Sequence, residues 1–336
     1  MTRPQGLFRR VLLAGALLAT LAVVAWWVTP WPSVWVIRAI FDRGARDTAS
    51  ALEKHLPAGL QLREAVHYDP AEADALLDVY RPVDLPAAAP TIVWFHGGAF
   101  VSGRRGDVAS YLKILAGRGY ATVNVDYSIS PSARYPTPIR QGAGALAFLD
   151  RHADELGINR NAWVLAGDSA GAQIAAELAN LITSVDYARK VGIPAPLSAA
   201  QLKGALLYCG VYDIEQLGSS GGAVMAWFVH TVTWSYSGRR DWRKAAGIER
   251  MSVARYVTPE FPPTLITAGN ADPLESQSTQ MLRALQALRV PVQGFFFPHD
   301  HRPPLGHEYQ FNLDGQDGRE ALARSVSWLQ QLPAGP

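Results

Sequence analysis

The chain has 336 residues, of which 49% are hydrophobic and 18% are charged, so it can bury a sizeable core. Its net charge of +2 and the lack of a basic segment interleaved with aromatic residues argue against nucleic-acid binding. Cys209 is the only cysteine, which rules out an internal disulfide.

The first apolar segment is an uncharged run of residues 11–28. As a helix this run would span about 27 Å, close to the thickness of the hydrocarbon core of a bilayer. It lies between arginines and a tryptophan cluster, as expected at a membrane interface: Arg3, Arg9 and Arg10 before it, and Trp26, Trp27, Trp31 and Trp35 at its far end. The alternative is a cleaved signal peptide, but the run is long and no small-x-small cleavage site ends it. We therefore predict an uncleaved, single-pass membrane anchor over residues 1–40.

The arginines before the anchor favour a cytoplasmic N-terminus, with the rest of the chain outside the cytoplasm, in the periplasm if the cell is Gram-negative. Arg38, Arg43 and Arg46 follow the anchor, so the charge bias leaves the orientation open. Residues 41–59 are predicted as a linker that includes a short amphipathic helix. Residues 60–336 are predicted as one folded domain.

A glycine-containing motif follows a predicted buried strand over residues 91–95. His96, Gly97 and Gly98 come directly after that strand. Because glycine has no side chain, the two glycine amides can approach a substrate oxygen closely. The alternative is an ordinary Gly-Gly turn.

A second motif joins a predicted strand over residues 162–166 to a predicted helix over residues 172–179. Its sequence is Gly167-Asp168-Ser169-Ala170-Gly171. A serine at such a turn can be held on a strained elbow, with its oxygen projecting above the sheet edge. The amide of Ala170, at the start of the helix, would point at an oxyanion formed there. The alternative is a glycine-rich turn capped by a serine.

Together the two motifs resemble the hormone-sensitive-lipase-like, acetyl-esterase branch of the α/β-hydrolases. The resemblance covers roughly residues 60–332, and three further segments are typical of that branch: 77–82, 125–127 and 134–138. It implies a mostly parallel eight-stranded sheet with helices on both faces.

The resemblance also implies an oxyanion hole formed by the amides of Gly97, Gly98 and Ala170. The chain departs from the family at Ala99, where a third glycine is usual. We expect a stiffer loop and a smaller acyl pocket from this difference.

The family's acid corresponds to Asp272, which follows a predicted strand over residues 263–269. Open α/β sheets place catalytic groups at this carboxyl end of their strands. The alternative is that Asp272 caps the helix predicted over residues 275–288.

Three histidines follow the last predicted strand, which covers residues 292–297: His299, His301 and His307. The family places its base between this strand and the final helix, and His307 matches that position best. His299 and His301 flank Asp300, but a His-Asp-His spacing alone is a weak indication of a metal site. His96 is expected to support the oxyanion loop.

Residues from about 211 to 256 leave the alternation of strands and helices. In this fold such an insertion commonly covers the active site, so we predict a small lid there. Its aromatic residues either line the acyl or alcohol pocket or pack the lid onto the core: Trp227, Phe228, Trp234 and Tyr236.

The resemblance implies a serine carboxylesterase that hydrolyses small-molecule esters with short to medium acyl groups through an acyl-enzyme. Ser169 would be the nucleophile, His307 the base and Asp272 the residue that orients it, with no metal or organic cofactor. A formamidase or amidase would use the same machinery, and a lipase is compatible with the anchor. A non-catalytic binding protein on this scaffold would generally have lost the nucleophile or the base. The acyl length, the alcohol and the oligomeric state stay open.

Overall fold

The computed structural model describes residues 4–218 and 222–333. Within these ranges the chain forms eight strands and ten α-helices. The strands are β1 (Leu60–His67), β2 (Leu76–Pro82), β3 (Thr91–Phe95), β4 (Ala121–Val125), β5 (Trp163–Asp168), β6 (Leu202–Tyr208), β7 (Thr264–Thr267) and β8 (Val292–Phe295). The helices are α1 (Pro4–Val28), α2 (Trp31–Leu52), α3 (Arg105–Ala116), α4 (Thr137–Arg151), α5 (Ala153–Leu156), α6 (Ala170–Thr183), α7 (Val185–Val191), α8 (Ala223–Ser237), α9 (Glu275–Ala287) and α10 (Gln316–Gln331).

The strands form one sheet in the order β1-β2-β4-β3-β5-β6-β7-β8. Strand β2 is antiparallel to β1 and β4, and the other neighbouring strands are parallel. Strand β1 is an edge strand, and its pairing with β2 has a register shift between Arg63 and Val66. The mostly parallel eight-stranded sheet expected from the sequence is therefore confirmed.

The central strands are buried on both faces, which explains their continuous apolar sequences. In β3, Val93 and Phe95 contact the apolar cluster that includes helices α4, α6 and α9. Ile92 and Trp94 point the other way, into the cluster that includes α3 and α10. Helices thus cover both sides of the sheet, and the carboxyl ends of its parallel strands meet at one edge.

Helix α1 contains the apolar run and is separated from α2 by only two residues, Thr29 and Pro30. Residues Phe8–Val28 are long and apolar enough to cross a membrane, with a mean hydropathy of 2.3 and no burial inside the protein. A signal sequence would have the same properties. Arg3, one of the predicted flanking charges, lies outside the described residues.

Helix α2 packs on the domain that contains the sheet. Val34 and Ile37 are buried, at 0% and 2% exposure. The Arg38 guanidinium donates hydrogen bonds to the carbonyl oxygens of Val101, at 2.6 Å, and Ser130, at 2.9 Å. The first turns of α2 are therefore part of the folded domain.

This packing differs from the predicted division of the chain. The anchor boundary expected at residue 40 falls inside α2, and most of the linker expected over residues 41–59 is helical. We propose that the boundary between the anchor and the folded domain lies at Pro30, where the proline nitrogen cannot donate a hydrogen bond within the helix.

Removing residues 1–29 is expected to give a soluble protein with the full stability of the folded domain, whereas removing residues 1–40 is expected to lower that stability. The longer deletion exposes the surface that Val34 and Ile37 cover, which costs about 3–6 kcal/mol at 1.5–3 kcal/mol for each side chain. Membrane fractionation and urea unfolding of the two truncated proteins measure the difference. Equal free energies of unfolding would contradict the boundary at Pro30.

The insertion after β6 consists of α8 and several short 3₁₀ turns. Phe228 on α8 packs against Phe41 of α2, with ring centroids 5.7 Å apart. The Trp227 indole donates a hydrogen bond to Ser33 Oγ at 3.3 Å. Helices α2 and α8 thus form one cover over the carboxyl ends of the strands. Residues 219–221 of the predicted lid lie outside the described residues.

Candidate active site

Ser169 lies between β5 and α6 on a strained turn. Its backbone has φ 52° and ψ −118°, a conformation that costs a residue with a side chain on the order of 1–3 kcal/mol. The strain persists because the turn is packed tightly against β3. A Cβ on Gly171 would lie 1.9 Å from the carbonyl oxygen of Phe95. The glycine is therefore required by this close approach.

Gly171→Ala is expected to lower the free energy of unfolding by about 1–3 kcal/mol, because the added methyl group displaces the end of β3 or the start of α6. Urea denaturation measures the loss. Gly144→Ala on α4 is the matched control, since a Cβ there meets nothing within 4 Å. The control is expected to keep or raise stability, by up to about 1 kcal/mol. Equal stability of the two variants would contradict the close approach at the elbow.

Ser169, His307 and Asp272 come together although they are far apart in the sequence. His307 Nε2 lies 2.9 Å from Ser169 Oγ. His307 Nδ1 lies 2.9 Å from Asp272 Oδ2 and 3.0 Å from Oδ1. Asp272 follows β7, and His307 lies in the loop between β8 and α10. The imidazole therefore bridges the hydroxyl and the carboxylate, as nucleophilic catalysis by serine requires.

The surroundings of the imidazole favour its protonated form. Loss of solvent acts against the cation, but the hydrogen bond to Asp272 and the Glu308 carboxylate act in its favour. Together they raise the pKa of His307 well above its ordinary value. Burial raises the pKa of the Cys209 thiol to about 11, so the neighbouring sulfur is neutral at pH 7. These groups stabilise the imidazolium that forms when the neutral ring takes up the proton of the serine hydroxyl.

The loop after β3 brings the other predicted groups beside Ser169, but with a different division of roles. The amide of Gly97 donates a hydrogen bond to Asp168 Oδ2 at 2.8 Å. It is therefore not free to bind a substrate oxygen, which contradicts the role predicted for Gly97. In the described part of the chain the amides of Gly98 and Ala99 make no hydrogen bond. The amide of Ala170 is the first of α6 and precedes the intrahelical ladder.

Gly98 is held in place by the neighbouring backbone. Its φ is 112°, and a Cβ there would lie 2.2 Å from the carbonyl oxygen of Ser102. Ala99 follows with φ 53°, a left-handed conformation that costs about 1–2 kcal/mol in a residue with a Cβ. The alanine at this position therefore adopts the backbone that a glycine would adopt without strain.

Asp168 ties the loop after β3 to the turn that carries Ser169, a role that the sequence did not indicate. Its Oδ1 accepts a hydrogen bond from Trp94 Nε1 at 2.7 Å, and its Oδ2 accepts the Gly97 amide. Burial, and then the nearby Glu308 carboxylate, raise the pKa of Asp168 well above its ordinary value. Glu308 is also 3.6 Å from His307 Nε2. Asp168 belongs to the Gly167–Gly171 motif, but its hydrogen-bond partners Trp94 and Gly97 are distant in the sequence, so the motif did not predict this role.

His96 supports the loop after β3 through its buried ring. Its ring stacks on Tyr127 with centroids 4.3 Å apart, and the Tyr127 hydroxyl donates to the His96 carbonyl oxygen at 2.6 Å. His96 Nδ1 lies 2.8 Å from the Gly97 carbonyl oxygen. The ring is 1% exposed, so it serves as a packed structural group.

The two other histidines after β8 are placed elsewhere. His301 Nε2 lies 3.2 Å from Asp317 Oδ1, and the carbonyl oxygens of His299 and His301 accept from Asn270. In the described ranges one group of three potential metal ligands lies within 4.8 Å, formed by Cys209, Asp272 and His307. Because His307 contacts both Asp272 and Ser169 Oγ, we assign this group to the candidate active site.

Two cavities meet at Ser169 and His307. The larger has a volume of about 420 Å³ and is mainly apolar, with walls from α2, α8 and the loop after β3 that include Ile37, Phe41, Phe100, Trp227, Phe228 and Val232. The smaller has a volume of about 330 Å³ and contains the carboxyl groups of Asp107, Asp168 and Glu308. Two of the predicted lid aromatics, Trp227 and Phe228, thus line a cavity. Tyr236 instead stacks on Phe100 with centroids 4.1 Å apart.

The sheet, the serine elbow and the covering helices define a hydrolase of the α/β-hydrolase fold. The BD-FAE family model matches residues 77–285, which is more than half of the chain, and the chain belongs to this family. The resemblance to the esterases of the hormone-sensitive-lipase-like branch is confirmed.

Relatives and solved structures agree with this assignment. The chain is 29% identical to an acetyl esterase of Salmonella choleraesuis over 240 residues, covering 67% of this chain and 68% of that protein. Esterase B from Lactobacillus rhamnosis with a C6-C4 SN3 inhibitor has a TM-score of 0.75 at 21% identity, covering 89% of this chain and 97% of that one. The Pyrobaculum calidifontis esterase has a TM-score of 0.69 at 20% identity, covering 88% and 92%. The chain is accordingly a carboxylic ester hydrolase.

Proposed function

We propose that this protein is a membrane-tethered serine carboxylesterase that hydrolyses esters of short to medium acyl groups. The observation that carries the proposal is the contact of His307 with both Ser169, at 2.9 Å, and Asp272, at 2.9 Å. Because a hydroxyl, an imidazole and a carboxylate lie in series, the serine can be deprotonated as it attacks a carbonyl carbon.

In the proposed reaction Ser169 Oγ attacks the ester carbonyl while His307 Nε2 takes up its proton. Asp272 holds the other ring nitrogen as donor and stabilises the imidazolium. The tetrahedral intermediate collapses as His307 returns the proton to the leaving alcohol, which leaves an acyl-enzyme on Ser169. Water, activated by the same imidazole, then releases the acid and regenerates the serine.

The proposed oxyanion donors are the amides of Gly98, Ala99 and Ala170. All three belong to residues that line the cavities at Ser169. The Gly97 amide is excluded because it already donates a hydrogen bond to Asp168 Oδ2. Each such donor is worth about 10²–10³ in rate. Asp168 acts indirectly, since it fixes the loop that presents Gly98 and Ala99.

The two cavities suggest how an ester would bind. The apolar cavity between α2 and α8 suits an acyl chain, whereas the smaller cavity, which contains Asp107 and Glu308, suits a polar alcohol. Burial of an apolar chain contributes about 0.8 kcal/mol for each methylene, so kcat/KM should rise with acyl length until the apolar cavity is full. The acetyl esterases among the relatives act at the short end of this range.

We also propose that α1 is an uncleaved anchor and that the catalytic domain lies outside the cytoplasm. Arg9 and Arg10 precede the apolar stretch, which favours a cytoplasmic N-terminus. The Arg240 side chain donates a hydrogen bond to the Trp27 carbonyl oxygen at 3.1 Å, so the end of α1 contacts the hydrolase domain.

A substrate panel tests the proposed activity. Aryl esters of graded acyl length and an N-formyl aryl amine are compared on the same full-length preparation. We expect kcat/KM to be highest for an ester and to fall beyond a medium chain length. A higher kcat/KM for the N-formyl substrate would assign the protein to the formamidases instead. Hydrolysis of none of these substrates would overturn the proposal.

A further inference from the structure

The outward face of α2 carries exposed apolar side chains directly after the membrane helix. Trp35 is 62% exposed, Val36 is 43% exposed and Ile40 is 63% exposed. Further along the same face the residues become charged, with Arg43 and Asp47 both exposed. At a rise of about 1.5 Å for each residue, the apolar part of this face reaches about 14 Å along α2 from Trp31. Below we call Trp35, Val36 and Ile40 the apolar face of α2.

The end of the membrane helix is fixed to the lid. The Arg240 guanidinium lies 4.6 Å from the centre of the Trp27 ring and 5.6 Å from that of Trp234 on α8. Arg240 also donates to the Trp27 carbonyl oxygen. These contacts, together with the two-residue connection Thr29-Pro30 between α1 and α2, hold α2 and α8 close to the point where α1 leaves the bilayer.

The apolar cavity opens next to the same surface. Ile40 on α2 and Val224 on α8 both line this cavity, and they are 63% and 78% exposed. The two side chains therefore form an apolar rim around an entrance that leads to Ser169. An apolar rim of this kind is costly in water and favourable at the surface of a membrane.

We propose that the apolar face of α2 and this rim rest in the interfacial layer of the membrane, so that the cavity takes its ester from the bilayer. The occupant of the face is thus a lipid surface, because the face continues directly from a membrane helix and begins with tryptophans, which favour that layer. Resting on the proposed function, the substrate class is an ester amphiphile that partitions into membranes. The acyl chain would then pass from lipid into the cavity without crossing water.

A fluorescent label tests the placement independently of activity. Cys209 is fully buried, so in Trp35→Cys a thiol-reactive, environment-sensitive dye reacts at position 35. The control is Val83→Cys, because Val83 is 56% exposed and follows antiparallel β2, at the opposite end of the sheet from Ser169. Full-length proteins are reconstituted in phosphatidylcholine vesicles that contain a spin-labelled lipid.

We expect the spin-labelled lipid to quench the dye at position 35 and to leave the dye at position 83 bright. Equal quenching at the two positions would overturn the proposal. A dye at position 35 that is quenched by a spin label on a second copy of the protein, and not by the spin-labelled lipid, would also overturn it. The face would then be a contact between copies.

A pair of double variants tests the route of the substrate. Trp35→Gln with Val36→Gln makes the face polar, and Leu62→Gln with Val83→Gln is the control at other exposed apolar sites. Neither pair lines either of the two cavities that meet at Ser169. Both variants keep α1 and are expected to stay with the vesicles, with unchanged kcat/KM on a water-soluble ester. On a long-chain ester embedded in the vesicles, the first variant is expected to be about tenfold slower than the control.

Equal rates of the two variants on the embedded ester would overturn the proposal. Failure of the proposed function gives a different result, because then no Ser169-dependent hydrolysis of either ester occurs while the quenching at position 35 remains.

Discussion

Ser169→Ala is expected to leave the protein folded and to lower kcat on an aryl ester by about 10⁶-fold, the loss seen when the nucleophile of a serine hydrolase is removed. The elbow is built by the backbone and by Gly171, so the alanine keeps the same turn. The reaction, however, loses the only hydroxyl that His307 Nε2 contacts in the described ranges, at 2.9 Å. Purified variants are compared by steady-state kinetics, with circular dichroism as the measure of folding.

A covalent probe gives a second measurement of the same variant. A fluorophosphonate is expected to label the wild-type protein and not Ser169→Ala. Ser327→Ala is the control, because Ser327 is exposed on α10 and its loss leaves the site unchanged. Labelling of Ser169→Ala, or retention of more than a few per cent of wild-type kcat, would contradict the assignment of Ser169 as the nucleophile.

His307→Ala is expected to be nearly as damaging, with a loss of about 10⁵–10⁶ in kcat, because a nucleophile without its base gains little from the remaining groups. The imidazole contacts both Ser169 and Asp272. Substitution of either neighbouring histidine, His299 or His301, is expected to change kcat by less than about threefold. Steady-state kinetics on one soluble ester compares the three variants.

The outcome that contradicts this assignment is specific. If His299→Ala or His301→Ala is inactive while His307→Ala keeps its turnover, the base is another histidine. If all three are inactive and unfolded, urea denaturation detects it, and His307→Gln then separates packing from proton transfer.

The positions of the central strands and the elbow could be predicted from the sequence because they depend on local patterns, whereas the sheet was expected from the family resemblance. A buried strand in a parallel sheet is a short continuous apolar run, and β3 begins and ends at the predicted residues Thr91 and Phe95. The last strand was predicted two residues too long, since Phe296 and Phe297 continue the apolar run of β8 into packing outside the sheet.

Contacts between distant residues could not be predicted in the same way. Nothing near Gly97 indicates that its amide is taken by Asp168, 71 positions away. The anchor boundary was predicted at residue 40, inside α2, for a related reason. Val34 and Ile37 are apolar because the hydrolase core buries them, and an apolar residue looks the same in sequence whether lipid or protein surrounds it. Pro30 and Pro32 were the available sign that a new helix begins there.

The register shift in β1 disfavours pairing of two copies of this protein along this edge strand. At the shift, Ala65 has φ 55°, and its amide donates to Asp78 Oδ1 of the neighbouring strand at 2.7 Å. Exposed Arg63 and Glu64 pair with Glu155 and Lys113 of the same chain. A bulged, charged edge offers no straight row of free amides and carbonyls to a second sheet. The fold thus protects this edge of the sheet against pairing with a second copy through β1.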